Sequence, residues 1–178
     1  MLNDLLPLSG RALMQRLCDG YAIDPAAIAD REYRGVSLGV PHFVERITWK
    51  TFKKVFCREG DAIRGWNVRM EQNGIEGPWR PKVRKGAPVT FGHFAVTDAL
   101  GRTPPGCDRG LLLDYGLGGG PLGRLRDPIV ALEKGSAELL LGWSYLALGR
   151  RHLGTPSFFA LLADGPLSHR VPPPRKHS

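Results

Sequence analysis

The pattern that most constrains this chain is a succession of short β-like runs, separated by turn signals, from residue 31 onward. About seven or eight such runs follow one another, and clusters of Gly or Pro such as 103–106 and 116–123 separate most of them. Regularly spaced short strands with such turns are typical of a β-sandwich or a β-barrel, and no βαβ alternation competes with this interpretation. Because a barrel removes the exposed edges of a long meander, we predict a mainly β fold, an antiparallel β-barrel of about seven or eight strands.

Alternation along two of the runs indicates strands with one buried face. In one run Trp66 and Met70 share a face, and in the other Phe91 and His93 do so. The Asn-Gly pair at residues 73–74, between these runs, is a strong hairpin signal. The runs that we predict as strands cover residues 33–38, 62–72, 89–97, 109–115, 129–132, 138–148 and 157–163.

The chain before the first strand predicts short helices. Apolar residues recur at helical spacing over residues 10–18, and Ser9 is placed to cap that helix. A second start signal, Asp24 followed by Pro25, opens a short helical turn. Residues 41–56 are ambiguous, because their apolar positions fit either a helix or a strand, and we interpret them as a helix that runs into a strand.

These elements divide the chain into three parts. We predict that residues 1–30 form a helical segment that packs on the barrel, and that residues 31–166 form the barrel domain. Residues 167–178 contain three consecutive prolines and several bases, and we predict that they form an extended basic tail.

Positive charge is concentrated in one stretch of the chain. There are 25 Lys and Arg residues against 17 Asp and Glu, which gives a net charge of +8. Residues 46–85 hold eleven of these bases and only four acids. Such a stretch attracts nucleic acid or an anionic membrane surface, but a solvated, Arg-rich surface gives the same pattern. Polyanion binding is the less favoured interpretation, since no RNP, KH or helix-turn-helix motif is present.

The cysteines and the first residues favour a reducing compartment. Three cysteines lie far apart, at positions 18, 57 and 107, and neither their number nor their spacing indicates disulfides or a zinc site. The first ten residues start acidic and lack the basic region of a secretory signal. No apolar run reaches the length of about 18 residues that a transmembrane helix needs. We therefore expect a cytoplasmic protein without a metal site.

Two segments approach known catalytic motifs without completing them. Residues 116–123 are rich in Gly but lack the Lys-Ser/Thr pair of a P-loop and the glycine spacing of a dinucleotide site. Residues 142–146 begin like the nucleophile elbow of a serine hydrolase, but Leu146 stands where the second Gly belongs. We therefore expect neither a bound cofactor nor a serine hydrolase.

A set of aromatic and polar residues is instead predicted to line a cavity inside the barrel. Trp143 and Tyr145 are two residues apart and therefore share a face of their strand. Arg124 and Arg126 are placed to contact an anionic group of a ligand at the rim. A purely structural role stays open, because large aromatics fill cores and a buried His93 needs only a hydrogen-bond partner. The predicted lining residues are Trp66, Met70, Phe91, His93, Leu113, Tyr115, Arg124, Arg126, Trp143 and Tyr145.

The order of the elements resembles that of the lipocalin-like (calycin) barrels. Within that group, it resembles the order in bacterial lipocalin-like proteins of uncharacterised function. A short N-terminal helix precedes a first strand that contains Glu32-Tyr-Arg-Gly35, and a segment rich in Trp and Lys follows at residues 48–56. The resemblance spans residues 31–164. It implies an up-and-down barrel whose interior holds a hydrophobic small molecule, for which a barrel of about eight strands has room.

These features lead to one preferred function and two alternatives. We predict that the protein binds a hydrophobic or aromatic small molecule inside the cell, in the pocket of the barrel. A cofactor-independent isomerase or cyclase is the first alternative, with His93, Asp114 or Tyr115 as general acid or base. A protein whose basic surface binds a polyanion, either nucleic acid or an anionic membrane, is the second. The sequence leaves open whether any reaction is catalysed.

Overall fold

Ten β-strands follow three short helices in the part of the chain that the structure, a computed structural model, describes. That part comprises residues 2–39, 50–100, 103, 106, 108–118, 121–149 and 151–173. The helices are α1 (Leu2–Leu5), α2 (Gly10–Cys18) and α3 (Pro25–Ile28). The strands are β1 (Arg31–Leu38), β2 (Thr51–Glu59), β3 (Ala62–Arg69), β4 (Val83–Arg84), β5 (Ala87–Pro88), β6 (Thr90–Asp98), β7 (Leu111–Asp114), β8 (Leu125–Ala131), β9 (Leu139–Leu148) and β10 (Arg151–Pro166). Two 3₁₀ turns, Tyr115–Gly118 and Pro121–Arg124, lie between β7 and β8.

Eight of the strands close into an antiparallel barrel. The order around the barrel is β1-β2-β3-β6-β7-β8-β9-β10, so each strand pairs with its neighbour in the chain once the small β4–β5 hairpin is set aside. The sixteen-residue β10 pairs with β9 and also with β1, where Arg31 lies opposite Pro166 and Leu38 opposite Phe158. The prediction of a mainly β, antiparallel barrel with short N-terminal helices is confirmed.

Helices α2 and α3 begin where the sequence predicts, because capping side chains satisfy their first backbone amides. The Ser9 hydroxyl accepts a hydrogen bond from the Ala12 amide at 3.3 Å, and the Asp24 carboxylate accepts one from the Ala26 amide at 2.9 Å. Among the described residues, no helix is long and apolar enough to cross a membrane. The buried side of α2 packs on the outer face of the barrel, in a cluster that includes Leu13, Leu17, Val36, Val130, Leu141, Trp143 and Phe158.

The interior of the barrel holds a second apolar cluster, which fills the half of the barrel that α3 covers. Strand residues alternate between the two faces, so Phe56 of β2 points inward while its neighbours Val55 and Cys57 point outward. Ile28 of α3 is fully buried in this interior cluster. The other members include Tyr33, Ile63, Phe94, Leu113, Ile129, Leu140 and Leu161.

A third cluster lies outside β2 and β3 and is covered by the segment that follows β10. Its buried members are Val55, Cys57, Trp66, Val68 and Met70. Leu167 and Val171 pack on this cluster, and the Val171 carbonyl accepts a hydrogen bond from Arg64 at 2.7 Å. The Glu32 carboxylate accepts another from the Ser168 amide at 2.9 Å. Residues 174–178 of the predicted tail lie outside the described residues.

One local prediction differs from the structure, and another is tested only in part. The end of the ambiguous segment 41–56 belongs to strand β2, whereas its expected helical part lies outside the described residues. The hairpin expected at residues 73–74 is wrong, because these residues lie within a longer loop that a bridge between Met70 and Pro81 closes. The tight turn instead falls at Lys85 and Gly86, between β4 and β5, where both φ angles are positive (53° and 78°) as a type I′ turn requires.

Tyr33 is expected to make the stability of the barrel depend on pH in the alkaline range. Its ring is fully buried against Phe56, and its hydroxyl donates a hydrogen bond to the Ala137 carbonyl at 3.0 Å. Burial raises the pKa of Tyr33 to about 12, whereas the phenol in the unfolded chain ionises near 10. Because the unfolded chain ionises first, we expect the free energy of unfolding to fall as the pH rises from about 10 to about 12.

The comparison with Tyr33→Phe tests this expectation. The variant loses one hydrogen bond, which costs about 1 kcal/mol at neutral pH. It should also show a smaller decline of the unfolding free energy in the alkaline range than the parent protein, as measured by urea unfolding. Identical declines in the two proteins would show that Tyr33 does not contribute.

Candidate ligand-binding site

A cavity of about 290 Å³ occupies the half of the barrel interior that the apolar cluster leaves unfilled. Its apolar walls are formed by Phe52, Phe91, Leu122, Leu125 and Phe159. Its polar lining consists of Ser37, Lys54, Asn67, Tyr115, Asp127, Ser144 and Ser157. Leu122 lines the cavity and is also 41% exposed, so the mouth lies beside the second 3₁₀ turn. The cavity is thus apolar at its sides and polar at its inner end.

Strand alternation and pairing bring the polar residues of the inner end together. On β2, Phe52, Lys54 and Phe56 occupy successive inward positions, so a lysine lies between two rings inside the barrel. Asn67 of β3 is the cross-strand partner of Lys54. Asp127 comes from the inward face of β8, on the far side of the cavity from β2. Barrel closure, rather than sequence proximity, therefore assembles the site.

The Lys54 ammonium and the Asp127 carboxylate form a buried ion pair. The Lys54 Nζ donates to Asp127 Oδ2 at 3.2 Å, to Asn67 Oδ1 at 3.0 Å and to the Tyr115 hydroxyl at 2.5 Å. Asp127 also accepts from the Tyr115 hydroxyl at 2.8 Å and from the Ser144 hydroxyl at 2.7 Å. All three donors of the ammonium are used, and both oxygens of the carboxylate accept. We call these five residues the polar cluster.

Aromatic rings surround the polar cluster on its remaining sides. The Lys54 Nζ lies 4.9 Å from the ring centre of Phe159, 5.2 Å from that of Phe94 and 5.5 Å from that of Phe52. Such distances give favourable cation–π contacts. Burial lowers the pKa of Lys54, while the nearby charge of Asp127 opposes that change. Burial together with the Asp127 charge raises the pKa of Tyr115 well above its usual value, so this phenol stays protonated.

Two of the wall rings rest directly on glycines of neighbouring strands. A Cβ atom added at Gly35 would lie 2.3 Å from the ring of Phe52. One added at Gly142 would lie 2.2 Å from the ring of Phe159. Any side chain at these positions would push the rings into the cavity, and the glycines thereby set its width.

Of the residues predicted to line a pocket, Phe91 and Tyr115 line this cavity. Leu113 lies in the apolar interior cluster of the filled half. Trp143 and Tyr145 are on the outer face of β9, in the cluster under α2, where the Trp143 indole donates to the Thr155 carbonyl at 2.8 Å. The cavity prediction therefore placed these two rings on the wrong side of their strand.

The other predicted lining residues also lie away from the cavity. Trp66 and Met70 belong to the outer cluster on β2 and β3, and His93 lies against Trp66 with ring centres 6.1 Å apart. The Nδ1 atom of His93 is buried without a hydrogen-bond partner among the described residues, and burial lowers its pKa. Arg124 is exposed, and Arg126 pairs with Asp114 at 3.1 Å. Among the general acid–base candidates, only Tyr115 lines the cavity.

The bases of the stretch 46–85 are divided between the inside and the outside of the protein. Lys54 and Arg64 are buried, and Lys53 pairs with Glu32 at 2.7 Å and with Asp164 at 2.9 Å. The described bases that are exposed include four near the β4–β5 hairpin: Arg80, Lys82, Arg84 and Lys85. Part of the positive charge is therefore neutralised by internal ion pairs.

No family model, curated protein or solved structure matches this chain. The closed, antiparallel barrel of eight strands is compatible with the resemblance to lipocalin-like barrels. A function for this chain is therefore inferred from the cavity and the polar cluster themselves.

The residues that define the inner end of the cavity are not among those that the sequence predicts to line a pocket. Lys54, Asn67, Asp127 and Ser144 are absent from that set, and so are the wall rings Phe52 and Phe159. One signal was present on β2, where strict alternation places a lysine between two phenylalanines on the same face. A charged residue in an otherwise aromatic face of a strand is costly to bury unless it has a partner, and such a residue indicates an internal site.

Proposed function

We propose that this protein binds a small hydrophobic or aromatic molecule in the barrel cavity. The observation that carries the proposal is a cavity with aromatic and aliphatic side chains in its walls and a buried hydrogen-bonding cluster at its inner end. Ligand sites are commonly built in this way, from apolar walls that supply affinity and a few fixed polar groups that orient the ligand. The volume of about 290 Å³ is near the lower end of the usual range. It suits one or two fused rings better than a long acyl chain.

The charge balance of the polar cluster favours a neutral ligand. An anionic group that approached Lys54 would also meet the carboxylate of Asp127, which lies 3.2 Å from the ammonium. Because the two charges offset one another, an anion gains little electrostatic attraction at this site, and it loses its hydration on entering the cavity. A hydroxyl or carbonyl group can exchange hydrogen bonds with Asn67, Ser144 or Tyr115 without adding charge. We therefore propose a neutral molecule that carries one such group.

The alternative of a cofactor-independent isomerase or cyclase is supported by one observation. Lys54, Tyr115 and Asp127 are titratable and line the same cavity, so a bound molecule would have a proton donor and a proton acceptor beside it. Turnover of a bound carbonyl compound would distinguish an enzyme from a binding protein. Loss of that turnover in Tyr115→Phe, with binding retained, would assign the proton transfer.

The experiment that tests binding fills the cavity with a side chain. Ser157 points into the cavity from β10, and we expect Ser157→Phe to weaken the binding of 2-naphthalenemethanol, a neutral bicyclic alcohol, by roughly tenfold or more. Leu153→Phe is the matched control, because Leu153 is on the same strand but is 55% exposed and does not line the cavity. Isothermal titration calorimetry gives the affinities, and native mass spectrometry of protein purified without detergent detects any ligand already bound.

Two outcomes would contradict the proposal. One is equal affinity for the alcohol in Ser157→Phe and in the parent protein, which would place binding outside the barrel. The other is the absence of binding by 2-naphthalenemethanol, indole and benzyl alcohol alike, together with a native mass that shows no adduct.

A further inference from the structure

Lys54 presents a primary amine to the cavity. Its side chain is only 3% exposed, and the groups around its Nζ include Asn67, Tyr115, Asp127, Phe52 and Phe159, all of which line the cavity. Among the described lysines, Lys54 is the one that lines this cavity. A ligand that fills the space therefore comes into contact with this amine and not with the others.

The surroundings of Lys54 are those of an amine that can act as a nucleophile. Only a neutral amine has the free electron pair that attack requires, and burial among rings lowers the pKa of Lys54. Asp127 is placed to take up the proton that the ammonium gives away. Tyr115 donates its hydroxyl proton at 2.8 Å to the same carboxylate, so the cluster can pass protons between nitrogen and oxygen atoms.

We propose that Lys54 binds an aromatic aldehyde covalently, as an imine within the barrel cavity. This inference rests on the proposed function, because the aldehyde must first occupy the cavity. The Nζ electron pair attacks the carbonyl carbon, and the carbonyl oxygen takes up a proton to give a carbinolamine. The hydroxyl of the carbinolamine takes up the proton that the nitrogen then loses, the C–O bond breaks as water leaves, and a C=N bond forms. One amine and one aldehyde give one imine and one water, and no oxidant or reductant is needed.

The ion pair with Asp127 favours an imine over other amine adducts. An acylated amine is neutral, and it would leave the Asp127 carboxylate buried without a counter-charge, which is costly. An imine nitrogen that holds a proton keeps its positive charge close to Asp127. The rings that contact the ammonium at 4.9–5.5 Å also suit an iminium cation. The imine therefore preserves the electrostatic balance that the folded barrel already has.

Reductive trapping tests the proposal on the intact protein. The probe is 2-naphthaldehyde with sodium cyanoborohydride, which converts an imine to a stable secondary amine that intact mass and peptide mapping can locate. We expect one adduct per chain, with labelling at Lys54 roughly tenfold or more above that at any other lysine. Lys53→Met should keep this adduct, because Lys53 pairs with Glu32 and Asp164 and does not line the cavity. The charge-matched double variant Lys54→Met/Asp127→Asn should lose it.

The corresponding alcohol separates failure of the imine from failure of binding. If 2-naphthalenemethanol binds and the aldehyde does not label Lys54, the imine is overturned and the proposed function stands. If labelling is spread evenly over exposed lysines such as Lys82, Lys85 and Lys134, the imine is also overturned. If 2-naphthalenemethanol, indole and benzyl alcohol all fail to bind, the native mass shows no adduct and Lys54 is not labelled, both proposals fail. Selective labelling of Lys54 that excess alcohol suppresses would support both.

Discussion

Lys54→Met is expected to lower the free energy of unfolding by about 3–5 kcal/mol. The substitution keeps a long, unbranched side chain but removes the only positive charge that the structure places beside Asp127 among the described residues. Asp127 is 2% exposed, and the hydrogen bonds from Tyr115 and Ser144 that remain supply no counter-charge. A buried carboxylate without a counter-charge costs far more than a paired one, and this cost falls on the folded state alone.

Two further variants separate the charge from the packing. In Lys54→Met/Asp127→Asn the carboxylate is removed as well, and we expect this protein to be clearly more stable than Lys54→Met. Lys53 lies on the opposite face of β2, and Lys53→Met should cost less, because both of its partners keep another one. Glu32 still accepts a hydrogen bond from the Ser168 amide, and Asp164 still pairs with Arg34. Urea unfolding gives all the values. Equal losses in Lys54→Met and Lys53→Met would show that Asp127 is not held in a low-dielectric interior.

Phe94→Ala is the second substitution with a large expected effect, a loss of about 3–5 kcal/mol. Phe94 is fully buried between the filled half of the barrel and the polar cluster. Its ring centre lies 5.6 Å from that of Phe56 and 5.4 Å from that of Tyr115. Removing this ring leaves a void that its neighbours cannot fill, because they belong to strands fixed by the closed sheet.

Phe91→Ala is the matched control on the same strand. Phe91 is partly exposed and already borders the cavity, so its truncation enlarges an existing space and costs about 1–2 kcal/mol. The difference between the two variants in urea unfolding measures how much of the stability resides in the filled half of the barrel. Equal losses would indicate that the cavity collapses in solution and that Phe91 is packed as tightly as Phe94.

The barrel could be predicted because its signals are local. Period-two runs and turn residues occur along the chain in the order of the strands, and an up-and-down barrel pairs the strands in that same order. The caps at Ser9 and Asp24 are also local, and both helices begin where these residues predict. The turn at Lys85 was not recognised, since lysine seldom adopts a positive φ and residues 73–74 carry the more usual signal.

The identity of the interior face could not be predicted from single strands. β9 is buried on both faces along most of its length. Helix α2 covers its outer face, and its inner face borders the cavity and the interior cluster. Large rings at Trp143 and Tyr145 therefore indicate burial but not its side. Ser144 between them faces inward and lines the cavity, although by composition alone it is the least conspicuous of the three.

The polar cluster could not be predicted because its members meet only after the barrel closes. Lys54 and Asp127 are separated by 73 positions in the chain, and the first of them lies in a basic stretch that indicates a surface. Their contact depends on the strand count and on the register of β2 and β8, neither of which a single sequence fixes. The one signal in the sequence is a charged residue, Lys54, between two phenylalanines on the same face of β2.

The pairing of β10 with β1 has a consequence for synthesis of the chain. Arg31 lies opposite Pro166, so the last barrel strand must leave the ribosome before the first can gain its second partner. Until then β1 presents an unpaired edge. Lys54 of β2 and Asp127 of β8 are also not yet enclosed in a barrel interior. Contacts between such distant residues are formed late and slowly. A nascent chain that begins to fold before β10 has emerged therefore has an open sheet, whose exposed surface chaperones can recognise.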